Sequence, residues 1–258
     1  MVAIFKNGVV KLSKDCGYTW NSGVNISALG DISAFYLYAN GTLAVFTNTK
    51  AYYIEDWTEY HEAACYETDG TLFASTTTSN FLLTKSHTER KFVNGKDIFM
   101  FTNYHEGTIV RSLVWCSFDQ GHTYKIIWEF GSRNTPTPTG SWQIRHGHDV
   151  IYYEPEDIFI LCTGDSNETE CMVFTVSLDV ENQSCEVSLV GGPAREYKWS
   201  NMALWNNEIY YTQDNTLGSV WKCKYEDIGD LSKHEKILDG LYSDPTCLII
   251  GNRGEMVV

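Results

Sequence analysis

Ser13-Lys14-Asp15-Cys16-Gly17-Tyr18-Thr19-Trp20 returns later in the chain as Ser117-Phe118-Asp119-Gln120-Gly121-His122-Thr123-Tyr124. In each copy a Ser closes an apolar run, an Asp stands two positions on, and a Gly two further. A Thr and an aromatic then open the next run. Such a segment is a tight turn between strands: the carboxylate can accept backbone N–H groups, and Gly takes the positive φ that a side chain disfavours. The repeat therefore predicts two hairpin turns. Their structural residues are Ser13, Asp15, Gly17 and Trp20 in the first and Ser117, Asp119, Gly121 and Tyr124 in the second, with both carboxylates bonded inside their own turns and Trp20 buried between strands.

Working outward, the strands that lead into these turns align with others. Val9 to Ser13, Leu113 to Ser117, Val173 to Ser177 and Val220 to Lys224 match without gaps, and two positions beyond each stands an acid: Asp15, Asp119, Asp179 and Glu226. Ala51 to Asp56 is a poorer copy. A second family of strands, Gly41 to Asn48, Asp97 to Asn103, Asp157 to Gly164 and Glu208 to Gln213, ends each time in Thr followed by a small or amide residue. Before those come Ile32 to Tyr38, Val150 to Tyr153 and Met202 to Trp205. This recurring order is that of a four-stranded propeller blade. Hairpins at Asp15, Asp56, near Lys85, Asp119, Asp179 and Glu226 suggest an all-β, six-bladed propeller in one domain over residues 1–258. Five blades follow if residues 70–92 are an insertion. Thr246 to Val258 and Met1 to Trp20 would close the ring in a shared blade, removing exposed edges. Residues 226–238 are charged and suit a short helical turn, and no long helix is expected.

The pattern S-x-D-x-G-x-T-W resembles the Asp-box, or BNR repeat, of the sialidase-like β-propeller superfamily. It is matched in full at the first copy and with Tyr124 for Trp at the second. The resemblance implies a propeller whose ligands bind on the face opposite the Asp-boxes. Its hydrolase members hold a substrate carboxylate with three arginines, use a Tyr activated by a Glu as nucleophile, and an Asp as acid/base. Their Arg-Ile-Pro signature is absent here. Of this chain's arginines, Arg145, Arg90 and Arg195 are assigned nearest the channel mouth.

Composition narrows the function classes. A net charge of −14 opposes phosphate backbones and anionic membranes, so no nucleic-acid role is expected. No apolar run is long enough to cross a membrane, and the first residues lack the layout of a signal peptide, so the compartment is not encoded. An extracellular or particle-surface location would follow from glycan binding. The 8 cysteines lack C-x-x-C spacing, and Cys116, Cys162, Cys223 and Cys247 sit in apolar runs, which suits buried thiols.

Candidate site residues come from the loop end away from the turns. Tyr104, Asp165 and Asp214 follow second strands, while Arg145, His146, His148, Trp199 and Asp244 lead into first strands. Arg145, His146, His148, Trp199, Tyr104 and Asp244 are the expected ligand contacts. Trp142, Trp199, Tyr104 and Trp205 are candidates for a sugar-stacking platform, of which Trp199 is the leading exposed one and Trp205 is expected to pack between blades. His146 and His148, two apart, would share one side of a strand, and with Asp165 they offer a divalent cation two imidazoles and a carboxylate. No other cofactor is implied. Asp165 and Asp214 are the pair a two-carboxylate glycosidase would use. Alternatively these acids cap their loops through backbone N–H groups. The sequence thus suggests a non-catalytic module binding a carbohydrate or protein partner, within a larger assembly, with a sialidase-like glycoside hydrolase as the alternative.

Overall fold

Runs such as Ile158-Phe159-Ile160-Leu161-Cys162 are apolar at every position, which suits strands covered on both faces. The computed structural model describes residues 1–74, 89–93, 96–103, 111–131, 142–164, 167–214, 218–241, 248–251 and 254–258. Among these the chain is all-β, with short 3-10 turns and no α-helix. β1 (Val2–Lys6), β2 (Val9–Ser13) and β3 (Val24–Asn25) form a three-stranded sheet. β4 (Ile32–Leu37), β5 (Leu43–Thr47), β6 (Ala51–Ile54) and β7 (His61–Glu62) follow as an antiparallel meander. The next sheet contains β8 (Ala64–Tyr66), β9 (Glu89–Val93), β10 (Lys96–Thr102), β11 (Ser112–Ser117) and β12 (Thr123–Phe130) in the order β8-β12-β11-β10-β9. Here β8 runs parallel to β12 as an added edge strand.

Two further antiparallel meanders complete the main architecture. One is β13 (His146–Tyr153), β14 (Ile158–Gly164), β15 (Met172–Asp179) and β16 (Ser184–Gly191). The other is β17 (Trp199–Trp205), β18 (Glu208–Gln213), β19 (Gly218–Lys224) and β20 (Glu235–Leu241). β21 (Ile249–Ile250) pairs with β22 (Met256–Val257). Among the described residues no pairing joins these last strands to β1–β3, so the shared terminal sheet expected from the sequence is not formed by hydrogen bonds between them. The hairpin expected near Lys85 lies outside the described residues.

The chain divides into two compact units. The first holds Met1–Thr84, Lys91–Phe99 and Cys116–Ile126, and the second Lys85–Arg90, Met100–Trp115 and Ile127–Val258. In the first, Val10, Leu12, Val24, Leu43, Val45, Ile54 and Trp57 pack as a core. In the second, Ile160, Cys162, Tyr197, Trp199, Met202, Ile209 and Tyr211 belong to another. Burial follows strand position: β14 is buried throughout, whereas β16 alternates between exposed and half-buried residues. The charged stretch after β19 forms two 3-10 turns, Tyr225–Asp227 and Leu231–Lys233, as its composition suggests. Cys116, Cys162 and Cys223 are buried, and Cys247 lies outside the described residues.

The two repeated turns share one hydrogen-bonding scheme. In the first, the Ser13 hydroxyl accepts the Gly17 N–H (2.7 Å) and donates to Asp15 (2.8 Å). Asp15 in turn accepts the Thr19 N–H (2.8 Å) and hydroxyl (2.6 Å). In the second, Ser117 accepts from Gly121 (2.8 Å) and donates to Asp119 (3.1 Å), which accepts the Thr123 N–H (2.9 Å) and hydroxyl (2.7 Å). Cys16 and Gly17 have φ of 58° and 95°, and Gln120 and Gly121 have 61° and 91°. The weaker copies depart from this. Asp179 accepts from Asn182, Asp56 from Thr58, and Glu226 sits in a 3-10 turn. Trp20 is half-buried rather than buried: its indole N–H is spent on the Gly17 carbonyl of its own turn (3.0 Å).

The same turn sits in different surroundings. A Cβ on Gly17 would meet only Trp20, at 3.6 Å, whereas one on Gly121 would lie 2.7 Å from the Tyr38 ring. Tyr38 is fully buried and hydrogen-bonded to the Tyr124 hydroxyl at 3.2 Å. Gly17→Ala should therefore cost only the strain of positive φ, about 1 kcal/mol, and Gly121→Ala about 2–4 kcal/mol once overpacking is added. Urea denaturation of the two variants checks the order.

The Thr19 hydroxyl and N–H hold the Asp15 carboxyl down to about 2, below its usual 3.8. A depressed carboxylate contributes stability above the unfolded value and loses it as pH falls toward the folded one. The first turn should accordingly loosen between about pH 4 and 2, which a carboxyl titration by NMR reads directly.

Candidate functional site

In the second unit, the last residues of β14 and β18 and the first residues of β13 and β17 lie at one end of their meanders, as antiparallel pairing requires. His146 and His148 are there but inward: they are 1 % and 5 % exposed, with Nε2 atoms 3.2 Å apart. A bulge between Gly147 and Asp149 breaks the simple alternation of β13. His148 Nδ1 lies 2.7 Å from the Trp199 carbonyl, which can only accept, so Nδ1 carries the proton. That leaves the His148 Nε2 facing the His146 Nε2 across a hydrogen-bond contact. Gly164 permits this closeness, because a Cβ there would stand 3.0 Å from His148 Cε1 and 3.1 Å from Lys198 Cγ.

Asp149 is fully buried and acts as a clip. It accepts the Val150 N–H (2.8 Å) and, across to β17, the Met202 N–H (2.5 Å). Asp214 is also committed: its carboxylate pairs with Lys198 Nζ at 3.0 Å, and its N–H donates to the Lys198 carbonyl (2.9 Å). Arg145 is half-buried just before β13. Tyr104, Asp165 and Asp244 lie outside the described residues, as do Arg133 and Arg253. No group of three metal-ligating side chains occurs among the described residues.

Trp199 is the clearest correction. Expected as an exposed sugar platform, it is wholly buried and stacked on Tyr211, with ring centroids 3.9 Å apart and planes at 14°. The bulge between Trp199 and Asn201 sets its side chain into the core beside Tyr197. His146 and His148, expected as ligand contacts, are likewise buried and bonded to one another. Trp142 packs edge-on against Phe174 at 5.1 Å, while Trp205 is half-buried and packs against Tyr210.

Sequence reasoning missed Lys198, Tyr211, Trp221 and His234. Lys198 could have been found, because it leads into β17 beside Trp199 and has the opposite sign to Asp214. Tyr211 gives its hydroxyl proton to His234 Nδ1 (2.7 Å), since His234 Nε2 must donate to the Asp227 carbonyl (3.1 Å). Burial holds the His234 imidazole below its usual 6.5, keeping that tautomer neutral.

No protein-family model and no curated protein matches the chain. Among solved structures, a mutant of the NanB sialidase from Streptococcus pneumoniae is similar at 13 % identity and a TM-score of 0.43, over 90 % of this chain and 34 % of that one. An auxiliary nutrient binding protein from Bacteroides ovatus is similar at 13 % identity and a TM-score of 0.47, over 86 % and 54 %. An alpha-L-arabinofuranosidase from Fusarium graminearum is similar at 15 % identity and a TM-score of 0.43, over 86 % and 67 %. The chain thus spans about a third of the sialidase and about half of the nutrient binding protein.

Asp149→Ala removes the acceptor of two buried N–H groups and should cost about 2–4 kcal/mol, with Asp149→Asn costing less because one oxygen remains. Chemical denaturation of both variants gives the comparison.

Proposed function

We propose that the chain is a non-catalytic Asp-box propeller module that binds a carbohydrate, as part of a larger surface assembly, rather than a glycoside hydrolase. The observation that carries this reading is the internal pairing of the loop-end groups. Asp214 is held by Lys198, and His146 and His148 are bonded to each other and to the Trp199 carbonyl. Hydrolysis of a glycoside needs two carboxyl groups presented to the same bond, one of them free to give a proton. The shared bonding of the Ser13 and Ser117 turns supports the Asp-box reading. We further propose a single propeller domain over residues 1–258, in which β4–β7, β9–β12, β13–β16 and β17–β20 are four of its blades. A glycan-binding role places the module outside the cell or on a particle surface. Among the described residues, no helix is long and apolar enough to cross a membrane.

A glycan array and a turnover assay on aryl glycosides, including a sialoside, test this together. Binding without turnover is expected. Turnover by the wild type that Asp165→Asn or Asp214→Asn abolishes would instead establish the hydrolase.

A further inference from the structure

The second unit contains a cavity of about 340 Å³, within the range of small-molecule sites. Tyr211, Gln213, Trp221 and His234 line it, together with Arg195 and Glu196 from the 3-10 turn before β17. We propose that this cavity is a binding site for a neutral saccharide, with a sugar ring against Trp221 and its hydroxyls between Arg195 and Glu196. The inference rests on the reading of the chain as a carbohydrate-binding module and gives that module its site.

The floor is fixed before any ligand arrives. Tyr211 is stacked on Trp199 and tied through its hydroxyl to His234, which is tied in turn to the Asp227 carbonyl. Gln213 donates to the Glu196 carbonyl (3.2 Å), fastening the Arg195–Tyr197 turn to the end of β18. Trp221 donates its N–H to the Ser219 hydroxyl (2.8 Å), so its polar atom is already satisfied. Lys236 Nζ, 4.9 Å from the ring centroid, braces the indole and is not part of the lining. The half-buried ring offers the cavity an apolar surface of the kind that C–H faces of sugars stack against.

The rim supplies the polar half of the site. Arg195 and Glu196 are both exposed, and neither has an ion-pair partner among the described residues. A guanidinium only donates and a carboxylate only accepts, whereas a hydroxyl does both, so neighbouring hydroxyls on one ring can answer the pair. The two charges cancel. The floor adds none, because the His234 proton inventory is that of a neutral ring. The overall charge of −14 also disfavours an anion. A neutral ring with an apolar face and adjacent hydroxyls is the chemistry that fits.

The test titrates the purified chain with methyl glycosides of glucose, galactose, xylose and arabinose and with their short oligosaccharides, by calorimetry and saturation-transfer NMR. Arg195→Ala, Glu196→Gln and Trp221→Ala are compared with wild type, with thermal melts to confirm folding. A loss of affinity of about tenfold or more in Trp221→Ala, and a clear loss in the two rim variants at unchanged melting temperature, supports the site. Because Arg195 and Glu196 are exposed, their variants decide the matter even if Trp221→Ala is unstable. Saccharide binding that all three variants retain would overturn this cavity while leaving the module's function intact. Failure of wild type to bind any saccharide, here and on the array, would overturn both. Tighter binding of sialic acid or inorganic phosphate, lost in Arg195→Ala, would overturn the assignment to a neutral ligand.

Discussion

Strands covered on both faces have no water to satisfy their backbone, so every N–H and C=O must find a partner in the sheet or from a buried side chain. β5 and β14 are buried at every residue, and they obey this by lying inside meanders, flanked on each side. Where a strand edge or a turn meets another sheet of the same unit, a buried carboxylate takes over the role. Asp149 accepts the Met202 N–H, and Asp97 accepts the Ala39 N–H (2.5 Å). These acids are fixed by the backbone they serve.

The same accounting explains the turns. A hairpin that reverses within a few residues strands several N–H groups, and the Ser/Asp pair collects them from within the turn itself. This makes the motif portable: its bonds are the same in both complete copies, although one is exposed and the other packs on Tyr38. Portability is also why the turns say little about function. Their chemistry is complete in itself and presents nothing to a ligand.

At the opposite end of the meanders, polar residues that look ligand-directed in the sequence are mostly occupied with one another. The histidines share a proton-bonded contact, Lys198 neutralises Asp214, and Trp199 lies beneath Tyr211. The groups that do face a cavity come from one layer further out. Trp221 lies opposite Tyr211 in the β18–β19 ladder, and Arg195 and Glu196 come from the turn feeding β17. The buried stack under Tyr211 gives that cavity its rigidity, so the residue singled out from the sequence supports the surface instead of forming it.

The sequence by itself determined the strands of the antiparallel meanders and the two turns, but neither the parallel edge strand β8 nor the pairing of the terminal strands. β2 runs over Val9–Ser13 as its alternation implies, and the middle strands end at Thr47 and Thr102 or one residue past Thr163 and Thr212. Those features are local: apolar periodicity, a Gly that needs positive φ, and a carboxylate within reach of nearby N–H groups act over a few residues. Which polar and aromatic residues face outward was decided only by the tertiary structure. The bulges at Gly147 and Trp199 break the alternation from which side-chain direction is read, and β13 is covered on both faces where His146 and His148 stand. The pairing of Lys198 with Asp214 follows from the β17–β18 register, and the meeting of Arg195, Trp221 and His234 around one cavity depends on how separate elements pack, which no local pattern carries.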